Sequence, residues 1–233
     1  MNDLMLRRRE MAQASGPAPL IPAEYQQVEY LSCTGTTASG PFFNTGYQGT
    51  MTGTLTLEVD CMRTSFYNTN AGAPIGVPIA NSTGTTGAGA YIVFTADNTK
   101  AVSAVGGATV SVTAEEALTN KRNTIVATFD SAGNQTIEMG ELSNSGIAAT
   151  PKNYKGYASL FGVRKGSGST VNYMFRGRIY HAKISEDGVL KRDLYPCYRK
   201  SDDTPGFYDI VTKSFKTRQG SSTATITLGP DVN

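Results

Sequence analysis

The chain has no tryptophan, one histidine and three cysteines in 233 residues, and each shortage excludes something. A single histidine, His181, cannot build a multi-histidine metal site. Cys33, Cys61 and Cys197 are odd in number and show no C-x-x-C spacing, so they form neither a disulfide framework nor a zinc knuckle. Without tryptophan, stacking against a sugar would fall to the 12 tyrosines. No stretch approaches the ~20 apolar residues of a membrane span. Net charge is only +2, which gives no global attraction to nucleic acid or to an anionic membrane. Residues Met1 to Ser15 place Arg7, Arg8 and Arg9 after their few apolar residues, the reverse of a secretory leader. This predicts folding in a reducing cytoplasm with free thiols. Without export, the sequons at Asn81 and Asn134 carry no meaning.

What is present is glycine, at 25 residues, with serine and threonine throughout, a profile of short strands and tight turns. From Thr54 to Cys61, Leu55, Leu57, Val59 and Cys61 share one face, and Thr54, Thr56, Glu58 and Asp60 the other, as in a half-buried strand. Cys61 therefore reads as a small buried hydrophobe. Arg122 to Asp130 alternates with Ile125, Ala127 and Phe129 inward; Ser131 to Asn134 turns, and Gln135 to Met139 returns with Ile137 and Met139 in phase. Ala90 to Thr95, Tyr157 to Val163 and Met174 to Ile184 are further strands, the last placing His181 opposite Tyr180, Ala182 and Ile184. Ala114 to Leu118 suits one helical turn. Asn68 to Gly89, rich in Gly, Pro, Ser and Thr, predicts a long loop, either a bare surface loop or a contact with a neighbouring subunit.

Chemistry is sparse. No serine, cysteine and acid pattern announces a triad. Arg164 to Thr170 fails as a phosphate loop because its lysine precedes the glycines, and it reads as a hairpin loop. Glu115 and Glu116 are adjacent, which does not suit two carboxyls facing one cleft. Asp60, Asp97-Asn98 and Asp202-Asp203 offer oxygens for calcium but form no recognised loop pattern, so no cofactor is expected. Asp187 and Asp209 read as turn residues. Arg192 and Asp193 point to opposite faces of a strand, each pairing with another loop.

The last third carries the most specific pattern. Gly177-Arg178-Ile179-Tyr180 leads to Asp187-Gly188-Val189-Leu190-Lys191-Arg192-Asp193-Leu194-Tyr195-Pro196, then Gly206-Phe207-Tyr208-Asp209 and Gly229-Pro230. Physically this is a strand, a tight Asp-Gly turn, a second strand and a proline that stops it. Together with Val28 to Thr36 and Phe43 to Tyr47, the pattern resembles laminin-G/concanavalin-like jelly-roll domains, which occur in bacteriophage structural proteins and related bacterial surface proteins. The resemblance spans roughly 25 to 232. It implies an all-β, two-sheet antiparallel jelly-roll sandwich over 25–233. It also leaves a Cys33–Cys197 bridge open, since both flank family strands.

Residues 1–24 then form an arm: a weakly amphipathic segment, followed by Gly16-Pro17-Ala18-Pro19-Leu20-Ile21-Pro22, an extended linker that cannot continue a helix. Leu4, Leu6, Arg7, Arg8, Arg9 and Met11 are its candidate partner contacts, because so short a segment cannot bury them alone. The implied function is a non-enzymatic structural component of a virion, head or tail, docked by the arm on other virion proteins in several copies. The alternative is a carbohydrate-binding module for host glycans, which a tyrosine cluster on one sheet would favour. A glycosidase lacks its paired acids.

Overall fold

The computed structural model describes residues 21–34, 41–49, 52–65, 71–78, 89–105, 108–147, 156–164, 171–220 and 224–232. The strands in chain order are β1 (Tyr25–Gln27), β2 (Leu31–Thr34), β3 (Phe42–Gln48), β4 (Leu55–Arg63), β5 (Gly72–Pro78), β6 (Gly89–Phe94) and β7 (Lys100–Val105). There follow β8 (Ala108–Thr113), β9 (Arg122–Phe129), β10 (Asn134–Met139), β11 (Leu142–Ile147), β12 (Tyr157–Leu160), β13 (Val163–Arg164) and β14 (Val171–Asn172). The series closes with β15 (Gly177–Glu186), β16 (Val189–Arg199), β17 (Thr204–Asp209), β18 (Ser214–Gln219) and β19 (Thr225–Leu228).

Two antiparallel sheets face each other. The first runs β11-β10-β9-β4-β15, and β15 pairs on its far side with both β16 and β2. The second runs β3-β12-β5-β6-β7-β8. Strand β18 joins them: Ser214 to Thr217 pair with β17 of the first sheet, and Arg218 and Gln219 with β3 of the second. This is the jelly-roll sandwich expected from alternation, since each strand of the first sheet has one apolar face to cover. In β4, β9 and β10 every residue assigned inward is buried. The interior is bridged by aromatic rings: Phe43 meets Phe207 edge-on at 5.1 Å, and Phe161 and Phe175 carry the contact on to Phe94. Each such ring contributes about 1.5–3 kcal/mol through burial.

Several local expectations are corrected. Asn68 to Gly89 is not one loop: β5 lies inside it, every residue buried, because its Gly, Ala and Pro are small enough for a strand covered on both faces. Ala114 to Leu118 forms bends, not a helical turn; Ala114 and Leu118 donate their N–H groups to Thr99 and Asn98 carbonyls instead of to each other's turn. The Tyr157–Val163 run breaks at Phe161, whose φ of 64° leaves the strand region. Strand β15 starts at Gly177, and Met174 makes only a single bridge to Ala73. An unforeseen third strand, β11, extends the β9–β10 hairpin. Ile21, placed in the linker by its prolines, packs with Cys197 and Tyr208.

The Asp187-Gly188 turn is as expected: φ values of 53° and 74° match the two left-handed residues of a type I′ hairpin turn. Pro196, however, does not stop β16, which continues to Arg199. Strands β15 and β16 pair only as far as Ala182 and Leu194, then diverge. The segment from Tyr25 to Thr34 enters this fork, β1 pairing with β16 and β2 with β15. The Pro196 carbonyl faces that fork, accepting from Val28 N–H at 3.0 Å, so its missing N–H lies on the same side and interrupts no ladder bond to β17.

All three cysteines are buried and free. Burial pushes the Cys33 and Cys197 thiols up to about 12, and Cys61 well above the ordinary thiol range. At pH 8 a thiol at about 12 is ionised in roughly one molecule in ten thousand. The native protein is therefore expected to leave a thiol-disulfide reagent unreacted at pH 8 and to consume three equivalents once denatured. Rapid native reaction at any site would contradict this burial.

Candidate functional site

The site is the outer face of the first sheet around the fork. Two things place its side chains. The first is a β-bulge: Ile179 pairs with Cys61 and His181 with Asp60, so Tyr180 is an extra residue on β15. It turns Tyr180 away from the core, against Tyr30 and beneath Arg122, and so onto the same surface as His181. Plain alternation had set these two residues on opposite faces; the bulge is the reason they are not. The second is the loop between β1 and β2, which brings Tyr30 into the fork. Gly229 permits this, since a β-carbon there would lie 2.9 Å from the Tyr30 ring. Gly229 donates to the Tyr30 carbonyl at 2.8 Å, and Glu29 to that of Pro230 at 2.7 Å.

The result is a column of two rings with a cation at each end. Arg178 lies over Tyr30 at 4.3 Å from the ring centroid, Tyr30 meets Tyr180 edge-on at 5.3 Å, and Arg122 lies over Tyr180 at 3.8 Å. Asp60 grips Arg122 with both oxygens, at 2.9 Å to Nε and 2.7 Å to a terminal nitrogen, and Glu29 stands 3.7 Å away. This bidentate pairing pushes the Arg122 guanidinium above its ordinary value. Next to the column His181 Nε2 lies 2.5 Å from an Asp193 carboxylate oxygen, with its ring 4.4 Å from that of Tyr195. Lys183 pairs with Glu58 at 3.2 Å. Burial, then the Asp193 charge, raises the Tyr195 phenol.

Behind this face sits a buried anchor. Asp209 is fully buried and accepts from the Asp193 and Val211 N–H groups and the Thr212 hydroxyl. Its carboxylate also lies 3.4 Å from Arg192. Arg192 crosses to the second sheet and donates to the Thr45 carbonyl at 2.8 Å and the Gly46 carbonyl at 2.5 Å. Asp209 is thus a turn residue as expected, and also the anion of an inter-sheet clamp. Arg192 and Asp193 do diverge, but Arg192 binds strand carbonyls of β3 and not a loop. Replacing Asp209 with Ala is expected to cost about 3 kcal/mol, because it strands three donors and removes the anion beside a half-buried guanidinium. A chemical denaturation midpoint within error of the native one would refute the clamp.

The other sequence candidates fall elsewhere. Leu4, Leu6, Arg7, Arg8, Arg9 and Met11 lie outside the described residues. The calcium candidates are scattered: Asp60 is on β4 with Arg122, Asp97 accepts from the Thr99 N–H in its own turn, and Asp202 is held by Arg199. Among the described residues, no three His, Cys, Asp or Glu side chains cluster as metal ligands. Glu116 pairs with Lys121 at the surface. Among the described residues, no helix is long and apolar enough to cross a membrane.

No family model matches the chain, and no curated protein matches it. Solved structures do. The native heptameric SAP-like pentraxin from Limulus polyphemus superposes with a TM-score of 0.58 at 11% identity, over 88% of this chain and 96% of that one. The Ruminococcus gnavus IT-sialidase CBM40 gives 0.49 at 14%, over 74% and 94%, and domains LG4-5 of the mouse laminin alpha1 chain give 0.48 at 14%, over 93% and 50%. The fold is an all-β jelly-roll sandwich.

Proposed function

We propose that this chain is a non-enzymatic component of a bacteriophage virion, present in several copies, that displays a binding face for host glycans. The observation that carries the binding reading is the fork surface, where Tyr30, Tyr180, Tyr195 and His181 converge with Arg122 and Arg178 on one side of one sheet. Such a mixture of rings and fixed polar groups suits a saccharide, whose rings are amphipathic and whose hydroxyls need paired donors and acceptors. The virion reading is supported by the motif order from Gly177 to Pro230 and by the apolar and arginine residues in the sequence of the arm over 1–24. A fold of this kind also hosts other roles, so the role rests on these residues and not on the architecture. Head or tail placement follows from whichever virion protein accepts the arm.

Deleting residues 2–20 keeps Ile21, which packs on the body, and is expected to leave the melting temperature nearly unchanged while abolishing incorporation into particles. Normal occupancy of the truncated chain would transfer attachment to the sandwich itself. We further expect no metal requirement: chelation with EDTA should shift the melting temperature by less than about 2 °C, the size of shift a marginal ligand gives. A larger loss would reveal a structural cation.

A further inference from the structure

Strand register sets out a row of side chains on the fork surface. Arg122 of β9 is opposite Met62 of β4, Met62 opposite Arg178 of β15, Arg178 opposite Ser32 of β2, and Ser32 opposite Thr227 of β19. Neighbouring strands stand about 4.8 Å apart, so these groups form one line across the sheet. The two arginines differ in what holds them. Arg122 is gripped by Asp60 and faces Glu29. Arg178 rests over Tyr30, and among the described residues no ion pair to a carboxylate involves it. Beyond it lie four hydroxyls in a grid: Ser32 beside Thr227, and Thr34 beside Thr225, with all but Ser32 exposed.

We infer that Arg178 is an anion subsite on this face and that the ligand is a saccharide carrying a carboxylate. The inference rests on the glycan-binding reading above and narrows it. A guanidinium offers a planar fork matched to a carboxylate, and Tyr30 already fixes its position, so little ordering remains to be done on binding. Neutral sugars find less here than the tyrosine count suggests. The Tyr30 and Tyr180 rings are each covered by a guanidinium, so stacking on them requires displacing a cation. The adjacent threonine hydroxyls both donate and accept, which suits the hydroxyls of a sugar ring better than the aliphatic stem of an acidic side chain. An acidic saccharide would place its carboxylate on Arg178 and its ring across Thr227 and Thr225.

The test uses the full chain and two carboxylated probes, oligogalacturonate and a sialylated trisaccharide, each compared with its methyl ester by calorimetry at low salt. At least one acid is expected to bind about tenfold or more tightly than its ester, as one charge-assisted bidentate contact gives. Arg178→Ala should remove that difference, and Arg178→Lys, which keeps the charge but not the fork, should retain part of it. Melting temperatures of both variants separate lost contact from lost fold. Equal binding of acid and ester, or binding that Arg178→Ala and Arg178→Lys leave untouched, overturns the subsite while the binding face stands. If neither these probes nor neutral oligosaccharides bind, the binding reading falls with it.

Discussion

The divergence of β15 from β16 is the constraint on which the rest of this molecule depends. The two strands are joined by a tight turn and pair from Glu186 to Ala182, and there the ladder ends. An open fork inside a sheet would leave two rows of backbone donors and acceptors unpaired, at a cost comparable to a lost hydrogen bond for each buried group. The chain fills it with Tyr25 to Thr34, which serves both sides at once. Everything distinctive about the outer face follows. Tyr30 is the residue at which β1 passes into β2, so it lands in the fork. The bulge at Tyr180 occurs just before the last β15–β16 pair and turns that ring toward Tyr30.

The fork must also be held to the opposite sheet, and here charge does what apolar packing does elsewhere. Arg192 leaves β16 within the last few pairs of the hairpin and reaches across to β3 carbonyls, with Asp209 of β17 beside it. A buried ion pair is weak evidence of stability when compared with an apolar replacement, because both partners are desolvated. Its value here is directional. It fixes β17 against β16 and, through the Asp193 backbone, the carboxylate that meets His181. The polar outer face and the buried clamp are therefore one network seen from two sides, joined at adjacent residues 192 and 193.

A likeness to a pentraxin at 11% identity speaks to how the chain folds and to nothing finer. The character of the site comes from the side chains. Its Tyr30 and Tyr180 rings are covered by arginines, its acids are held by Arg122, His181 and Lys183, and among the described residues Arg178 rests on a ring without a carboxylate partner. Under the proposed binding reading, a surface of this kind would recognise by charge and hydroxyl geometry more than by open aromatic stacking.

The residue pattern by itself determined the strands with one wet face. Leu55, Leu57, Val59 and Cys61 alternate with Thr56, Glu58 and Asp60, and a period of two leaves little choice of face. It also determined the Asp187-Gly188 turn, because few residue pairs adopt two successive positive φ values. Strand β5 was hidden because a strand buried on both faces shows no alternation, and its Gly and Pro read as loop chemistry. Pro196 read as a stop because the direction of its absent N–H depends on which neighbour lies on each side. Asp60 and Arg122 were each legible as outward residues, but not as partners, since register between β4 and β9 is a long-range fact. The pairing of Tyr30 with Tyr180, and the line from Arg122 to Thr227, were decided by tertiary structure alone: a bulge, a fork and a cross-strand register are relations between segments far apart in the chain, and local pattern encodes only relations between neighbours.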